Sequence, residues 1–502
     1  MLFGEPIFLG IDVGTSSVKA GFVSPEGRGL LQTSAEYPTF YGPVGHVEQS
    51  AWDWWNAATR AVQTLVKQAP HYARMVQAVS VSCQAPTLFG VDRHGQPVGR
   101  GLIWMDRRAE SVCRGVLREQ EEYINQYSCN RIDPYYMLSK LVWQKECQPK
   151  DYARTECYLQ INGWIISQLT GSRLVDVTNA NLTQLMNVRT LDWDRDIFNR
   201  LDLDLKKMAP VVPCGTAVGT IRPEVAQLWG LPPQTVVAAG CVDGSAAPLG
   251  LGLWDEGDIF EMSGTSSGIG VVLSEPRFCP NLSLMKHVRE DKWFLKGSTS
   301  CSGGSLKWYR EQVDQRADPD CFQEYSRLAQ ESAPGAGGVL FLPYLNGERA
   351  PLWDSGLRGV CLGFTGATEK KDLLRAILEG TAYALRTILD EFPPDQKQVP
   401  EILGTGGGYN SSVWSQIKAD VLGRTIRARK TVFDAAVLGA AYVAMEAAGI
   451  PAPKPPEDVE ETIYRPDPNL APIYERHYRR FRMAYQATRA LFHEHEEDEP
   501  CC

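Results

Sequence analysis

One short pattern occurs twice in this chain, and the repetition constrains the fold more than any other feature. FLGIDVGTSSVKAGFV, beginning at Phe8, is answered by IFEMSGTSSGIGVVL from Ile259. Each reads as a strand, a Gly-Thr-Ser-Ser turn and a returning strand, and the two turns lie 250 residues apart. Four matching residues can arise by chance. Matching strands on both sides favour an internal duplication, with a boundary near residue 252. The expected organisation is a first domain over 1–251, a second over 252–450, and a segment 451–502 of linker, terminal helix and acidic tail. A chain of 502 residues exceeds what one compact core takes and suits two domains of about 200–250 residues.

Strand-like runs alternate with amphipathic segments, which is α/β organisation. Ile7–Val13 and Val18–Ser24 read as strands, and Met75–Ser82 with Thr87–Asp92 as another pair. Ala51–Lys67 reads as a helix capped by Ser50, and Tyr136–Glu146 as a second helix. Lys371–Asp390 is the clearest helix. Its Leu373, Leu374, Ile377, Leu378, Leu385, Ile388 and Leu389 recur at the spacing of one face. Short strands are expected at Thr235–Ala239, Asp258–Met262, Val339–Leu342 and Glu401–Leu403, each running into a glycine turn. Helices Ser411–Leu422 and Ala435–Ala448 follow such turns. Pro451–Pro456 reads as a linker before a helix from about Ile473 to His493.

The formal charge of −9 argues against nucleic acid as a partner, because phosphate backbones need a concentrated basic face. The 13 cysteines are scattered without a CxxC pair, which reads as reduced, mostly buried thiols in a cytoplasmic protein. No basic region precedes the first apolar stretch, so no signal peptide is expected, and no apolar run reaches the length of a membrane span. His493 and His495 beside the final acidic residues read as a solvated tail rather than a metal site.

A Gly-Thr-Ser-Ser hairpin turn presents backbone N–H groups and three hydroxyls, a nest suited to phosphate oxygens. One such turn is most simply an ordinary hairpin. Two on duplicated domains, with Asp12 just before the first, favour a grip on a polyphosphate from both sides. No GxxxxGK[ST] occurs, so the chain is not a P-loop protein. A third cluster, Gly404-Thr405-Gly406-Gly407-Gly408, has more glycine than a strand-to-helix turn requires and would let a flat ligand lie against backbone.

Asp12 ends a strand expected to be buried on both faces, where a carboxylate needs a partner; a hydrated Mg²⁺ on ATP would supply one. Asp243, in AAGCVDGSAAPLGLG, is a reasonable helix N-cap. Its flanking Gly240, Gly244, Ser245, Ala246 and Ala247 also leave room for a ligand, and phosphoryl transfer to a hydroxyl needs a carboxylate to orient and deprotonate it. Asp106, in LIWMDRRAE, reads either as the cap of a helix Arg107–Val116 or as a sugar ligand with Trp104 as apolar wall. Asp92 and Asp354 read as loop residues.

These motifs together resemble the FGGY carbohydrate kinases of the actin/Hsp70/hexokinase superfold. IDVGTSSVKAG is similar to that family's first phosphate motif and SGTSSGIGVV to its second. LPYLNGERAPLWDSGLRGVCLGFTGATEKKDLLRAILEG resembles its diagnostic segment, GTGGGYNSSVWSQIKADVLGRTI its adenosine motif and DAAVLGAAYVA its closing interdomain helix. The resemblance implies two RNase H-like α/β domains around a cleft and an ATP- and Mg²⁺-dependent kinase for a small sugar, with xylulokinase-like members nearest. It implies that Asp12 helps hold Mg–ATP and that Gly14, Thr15 and Ser16 lie near the phosphates. It further implies Gly264 and Thr265 as the second phosphate contact and Gly304 near the nucleotide, with Gly407, Gly408 and Ser411 bordering the adenosine. Asp243 matches the general base, and Gln84, Trp104 and Asp106 shape the sugar site. Two departures stand out. Cys83-Gln84-Ala85-Pro86 replaces the Met-His-Gly of xylulokinases and lacks the Arg-Glu pair of glycerol kinases, and YYMLSKLVW carries Met137 where a small residue or proline is usual. A homodimer is an open assembly state. The rival readings are a non-catalytic nucleotide-binding relative and a chaperone-type ATPase, the latter short of a client-binding domain.

Overall fold

The computed structural model describes residues 4–43, 45–318, 320–396, 399–430, 433–454 and 460–493. Two sheets dominate it. In the first, β1 (Ile7–Val13), β2 (Ser17–Val23) and β3 (Gly29–Glu36) form an antiparallel meander, and β4 (Val76–Cys83) lies parallel to β1 on its other side. Next to β4 comes β6 (Val236–Ala238), and then the edge strand β5 (Ala217–Thr220), giving the order β5-β6-β4-β1-β2-β3. A short β7 (Cys241–Val242) also pairs with β4. Every residue of β1 is buried, as expected of a strand covered on both faces.

The second sheet repeats the plan. β8 (Ile259–Ser263) and β9 (Ser267–Leu273) form the hairpin, flanked by β10 (Ser283–Lys286) and β11 (Trp293–Thr299). On the far side of β8 lie β12 (Glu401–Thr405) and β13 (Thr425–Arg429), both parallel, and an antiparallel β14 (Glu461–Tyr464). The order is β10-β11-β9-β8-β12-β13-β14. Each domain thus has a meander, two parallel strands beside its first strand, and an antiparallel outer strand. In the first domain that outer strand precedes its neighbour in sequence; in the second it follows.

Helix α1 (Ala51–Gln68) packs on β2 and β3; Ser50 precedes it, but the Ser50 side chain makes no capping bond. Helix α2 (Asp243–Leu251) follows β7. Helix α3 (Lys370–Leu389) buries Leu374, Ile377, Leu378, Leu385, Ile388 and Leu389, with Leu373 half-buried, and starts with a capping box between Glu369 and Asp372. Helix α4 (Ser412–Leu422) begins after Ser411, whose hydroxyl accepts from Trp414 N–H. Helices α5 (Ala435–Ala447) and α6 (Ala471–Thr488) complete the set used below.

Two further expectations are corrected. Phe89–Val91 pairs with Cys157–Leu159, not with β4, because Pro86 has no N–H to extend that ladder and Leu88 bonds Leu102 instead. Asp106 caps no helix: the nearest one spans Glu110–Arg114. In the segment after residue 450, β14 extends the second sheet and Tyr474 of α6 accepts a bond from buried Arg375 at 2.7 Å. The end of the acidic tail, with His495, Cys501 and Cys502, lies outside the described residues. His493 pairs with Asp354 at 3.0 Å. All cysteines among the described residues are free thiols, most of them buried. Among the described residues no helix is long and apolar enough to cross a membrane.

Helix α5 follows the second domain's β13 in sequence, yet it packs on β1, β4 and α2 of the first. Glycines make the approach backbone-to-backbone. A Cβ at Gly10 would lie 2.0 Å from Val437 O, one at Gly250 2.3 Å from Ala435 O, and one at Gly439 1.8 Å from Ala246 O. Gly439→Ala is therefore expected to destabilise the chain by about 1–3 kcal/mol, the usual cost of overpacking a tight contact. It should also reduce turnover, because α2 carries Asp243. A urea midpoint unchanged from wild type would count against this packing.

Candidate active site

The C-terminal end of β1 meets the N-terminal end of α2. Asp12, 4% exposed, accepts from Ser82 Oγ of β4 at 2.8 Å through Oδ1. Across the hairpin Lys19 forms an ion pair with Asp434 at 2.6 Å, and Asp434 also caps α5 by accepting the Ala436 and Val437 N–H groups. Asp243 is half-buried and is the first residue of α2 rather than its cap; its Oδ1 accepts the Gly244 N–H.

These three carboxylates feel one another. Burial, then the charges of Asp243 and Asp434, push Asp12 up to about 8, against the opposing effects of Ser82 and Lys19. Burial pushes Asp243 up to about 6, opposed by Lys296 and the Gly244 N–H and reinforced by Asp434. Carboxylates crowded and desolvated in this way favour a cation. Among the described residues no three potential ligands converge into a protein-only cage. A Mg²⁺ ion typically keeps several waters and takes only one or two carboxylates. Asp12, a hard oxygen donor beside the first turn, is the residue that could hold such an ion.

Both Gly-Thr-Ser-Ser turns are tight: Gly14 N–H bonds Ser17 O at 3.1 Å and Gly264 N–H bonds Ser266 O at 2.9 Å. Tyr37 donates to Gly14 O, and Gln49 donates to Thr15 O at 2.8 Å, while Ser16 is exposed. The second turn is held by the next loop, since Ser302 and Gly304 N–H both bond Thr265 O, at 2.8 and 2.9 Å. Gly304 is required by packing: a Cβ there would lie 2.9 Å from Cys301 Sγ.

A cavity of about 690 Å³ brings together Gly264, Thr265, Gly407, Gly408 and Ser411, with Leu306, Phe322 and Val413 as its apolar walls. Its floor is glycine for a steric reason. A Cβ at Gly408 would meet Ser263 Oγ at 2.1 Å, and Gly406 has φ +97° with Ser263 O 2.4 Å from its Cβ position. Gly407 faces open space. The loop forms a short 3₁₀ turn, Gly407–Asn410, before α4. Beneath it lies a network that sequence reading missed. Lys418 and Glu261, both wholly buried, pair at 3.0 Å; Lys418 Nζ also donates to Ser263 Oγ at 2.7 Å, and Tyr409 OH donates to Glu261. The legible signal was a charged residue among mostly apolar neighbours in IFEMS and in SVWSQIKADVL.

At the other end, Gln84 is buried, its Nε2 donating to Gln49 at 2.7 Å and to Tyr37 OH at 3.2 Å; its Oε1 has no partner among the described residues. The Trp104 indole N–H points to Thr15 Oγ1 at 3.3 Å, so the wall of this compartment is tied to the first phosphate turn. Tyr135 stands edge-on to the Trp104 ring at 6.5 Å, and the Arg349 guanidinium lies 5.7 Å from the Trp104 centroid. Asp106 is fully buried. Its oxygens take Val47 N–H at 2.7 Å and the Arg108 guanidinium at 2.8–3.1 Å, so it anchors the strand end that carries Trp104. Sequence reading did not anticipate Lys296, Arg349, Tyr135, Lys19 or Asp434, which reach the cleft only through tertiary folding.

Comparison with known proteins agrees with this layout. Residues 7–250 match the family model for the N-terminal domain of the FGGY family of carbohydrate kinases, and residues 262–448 match the C-terminal domain. A xylulose kinase of Bacillus subtilis is 30% identical over 418 residues, covering 82% of this chain and 83% of the relative. A gluconokinase of the same organism is 28% identical over 451 residues, covering 88% and 87%. The crystal structure of a xyloylose kinase from Brucella ovis superposes with a TM-score of 0.89 at 25% identity, covering 97% of this chain and all of that one. Two sheets of one plan, paired Gly-Thr-Ser-Ser turns, a glycine-floored cavity and both domain matches lead to one conclusion: the chain belongs to the FGGY family of carbohydrate kinases, ATP-dependent phosphotransferases that act on a sugar or polyol hydroxyl.

Proposed function

We propose that this chain transfers the γ-phosphoryl group of ATP to a hydroxyl of a small sugar, with Asp243 as the general base. The observation that carries the reading is Asp243 itself: a half-buried carboxylate at the head of α2, held by one backbone N–H and flanked by small residues. In this reading the adenosine occupies the glycine-floored cavity, and Thr15, Ser16 and Thr265 turn polar groups toward the phosphates while Gly14 and Gly264 close the two turns through their own N–H bonds. Bound Mg²⁺ neutralises phosphate charge. Asp243 accepts the hydroxyl proton as the acceptor oxygen bonds the γ-phosphorus and the bond to the ADP oxygen breaks. Trp104 and Gln84 border the acceptor, while Asp106 positions Trp104. A ketopentose such as xylulose is the neutral acceptor that the motif resemblance favours. A non-catalytic relative would bind ATP without acceptor-dependent turnover.

The test is coupled ADP release across ketopentoses, ketohexoses, polyols and aldonates. A panel in which no compound raises turnover above background would defeat the kinase reading. The pH profile gives a second check. The base works only when ionised, and burial raises Asp243 to about 6. At saturating Mg–ATP, kcat/KM for the acceptor is therefore expected to be level above that pH and to fall tenfold per unit as pH drops below it. A profile flat from pH 5 to 8 would exclude Asp243 as the base.

A further inference from the structure

The two Gly-Thr-Ser-Ser turns sit on different domains, yet a path of side chains runs between them. Trp104 of the first domain points its indole N–H to Thr15 Oγ1 of the first turn. The Arg349 guanidinium of the second domain lies 5.7 Å from the Trp104 centroid, within the range of a cation–π contact. Its Nη2 donates to Thr299 O at 3.1 Å, and Thr299 ends β11. Just beyond it come Ser302 and Gly304, whose N–H groups hold Thr265 of the second turn. Glu348 fastens the same stretch by accepting the Ser300 and Arg349 N–H groups. Burial lowers Arg349 from its ordinary value, and the Glu348 carboxylate opposes that effect. Thr15, Trp104, Arg349 and Thr299 thus form one line across the cleft.

A second contact of the same kind, with cation and ring exchanged between domains, lies four residues on. Trp353 of the second domain receives Arg131 of the first, whose guanidinium is 4.9 Å from the ring centroid. Arg131 Nε has no hydrogen-bond partner among the described residues. Trp353 has a left-handed backbone, φ +50°, which a bulky residue keeps only where its surroundings impose it. Here its N–H bonds Arg349 O at 2.6 Å and its indole N–H bonds Asn281 O at 2.9 Å. Arg349 and Trp353 therefore stand at the two ends of one turn. The root of that turn is fixed within the second domain. Glu348 and Asp354 exchange backbone bonds at 2.8 and 2.9 Å, and His493 holds the Asp354 carboxylate at 3.0 Å.

We infer that Arg349 is a positioning residue for phosphoryl transfer: the turn Arg349–Trp353 sets the two Gly-Thr-Ser-Ser turns and the Trp104 wall in register, through one cation–π contact at each end. Transfer needs the γ-phosphoryl group between the turns and the acceptor hydroxyl beside Trp104 to meet in line, and a displacement of about 1 Å costs about 10²-fold in rate. Water is less demanding, because it can approach the phosphorus from a cleft whose halves are out of register. In that side reaction a water oxygen takes the place of the acceptor oxygen, and ADP and inorganic phosphate leave. The turn thus governs how much of the phosphoryl group reaches the acceptor. The adenosine cavity is lined by second-domain residues alone, so ATP affinity is a readout that the register leaves untouched.

The inference rests on the kinase reading but fails separately from it. Coupled ADP release is measured with xylulose, gluconate and glycerol, and phosphate release without acceptor. Arg349→Met is expected to lower kcat/KM for the best of the three about a hundredfold, with ATP affinity by calorimetry within about threefold of wild type. Arg349→Lys keeps a cation at the ring and should retain about a fifth of the wild-type value. Arg131→Met and Trp353→Leu, neither of which lines the nucleotide cavity, should each lower the ratio of transfer to hydrolysis about tenfold, and together no further than either alone. A loss in Arg349→Met with both of these variants unchanged overturns the inference, since Arg349 then acts on a ligand directly. Additive losses in the Arg131–Trp353 double variant overturn it as well. Equal falls in transfer, hydrolysis and ATP affinity also overturn it, marking a structural role alone. A wild-type protein that turns over none of the three compounds defeats the kinase reading, and the inference with it.

Discussion

Replacing Asp243 by asparagine is expected to lower acceptor-dependent ADP release by about 10²–10⁴-fold, the usual contribution of a positioned general base. Asparagine has the same shape, and its carbonyl still accepts the Gly244 N–H that holds Oδ1 now. Helix α2 should start as before, so a structural role alone predicts near-normal turnover. The amide cannot take the acceptor's proton at neutral pH, and the catalytic role predicts the collapse. The substitution also removes a charge that Asp12 feels, second only to burial in raising it. Asp12 then ionises more readily, so Mg–ATP binding is expected to be retained or tightened while kcat falls. Steady-state kinetics with calorimetric titration of ATP separates the two quantities. A variant keeping more than a tenth of wild-type turnover would remove Asp243 from the chemistry.

Lys418→Met should produce the largest loss of stability. Glu261 would be left at zero exposure with only Tyr409 OH as a partner. Breaking a buried pair by removing one partner costs about 3–5 kcal/mol, mostly the penalty of the stranded charge. The deficit should appear as a lowered urea midpoint with an unchanged slope. Adding Glu261→Gln removes the stranded charge, leaves Tyr409 an acceptor, and is expected to recover most of the loss. Because Gly406 and Gly408 rest against Ser263, to which Lys418 donates, the single variant should also raise KM for ATP more than KM for the acceptor. Equal destabilisation in single and double variants would mean that the cost is lost packing.

The strands that sequence reading located are those with an apolar run ending in a glycine turn, such as β1 and β8. It missed Trp293–Thr299 and Thr425–Arg429 inside the second sheet, the edge strand Ser283–Lys286, and Gly29–Glu36, Ala217–Thr220 and Glu461–Tyr464, edge strands with much of their length exposed. With little to bury, such strands carry weak apolar patterning and are specified by the neighbour they pair with. The site divides in the same way. Asp12, Asp243 and the three glycine-rich turns are local motifs and legible as such. The Lys19–Asp434 pair joins residues 415 apart, and Lys418 meets Glu261 across 157. No local spacing encodes those meetings. Asp106 shows the converse: its motif was visible, but its burial and its full set of donors needed the folded chain.

The seating of α5 bears on how the polypeptide is made. Gly10 of β1 and Gly250 of α2 both press against a helix that the ribosome delivers only as residues 435–447 emerge. During synthesis the first half leaves the exit tunnel with that face of its sheet bare, whereas domains usually fold as units from the N-terminus. The nascent first domain must wait, in an incomplete state that a chaperone would hold, for almost the entire second domain to be translated. A gene fragment ending at residue 251 is therefore expected to yield aggregated protein, and to become soluble when α5 is supplied as a fused C-terminal segment.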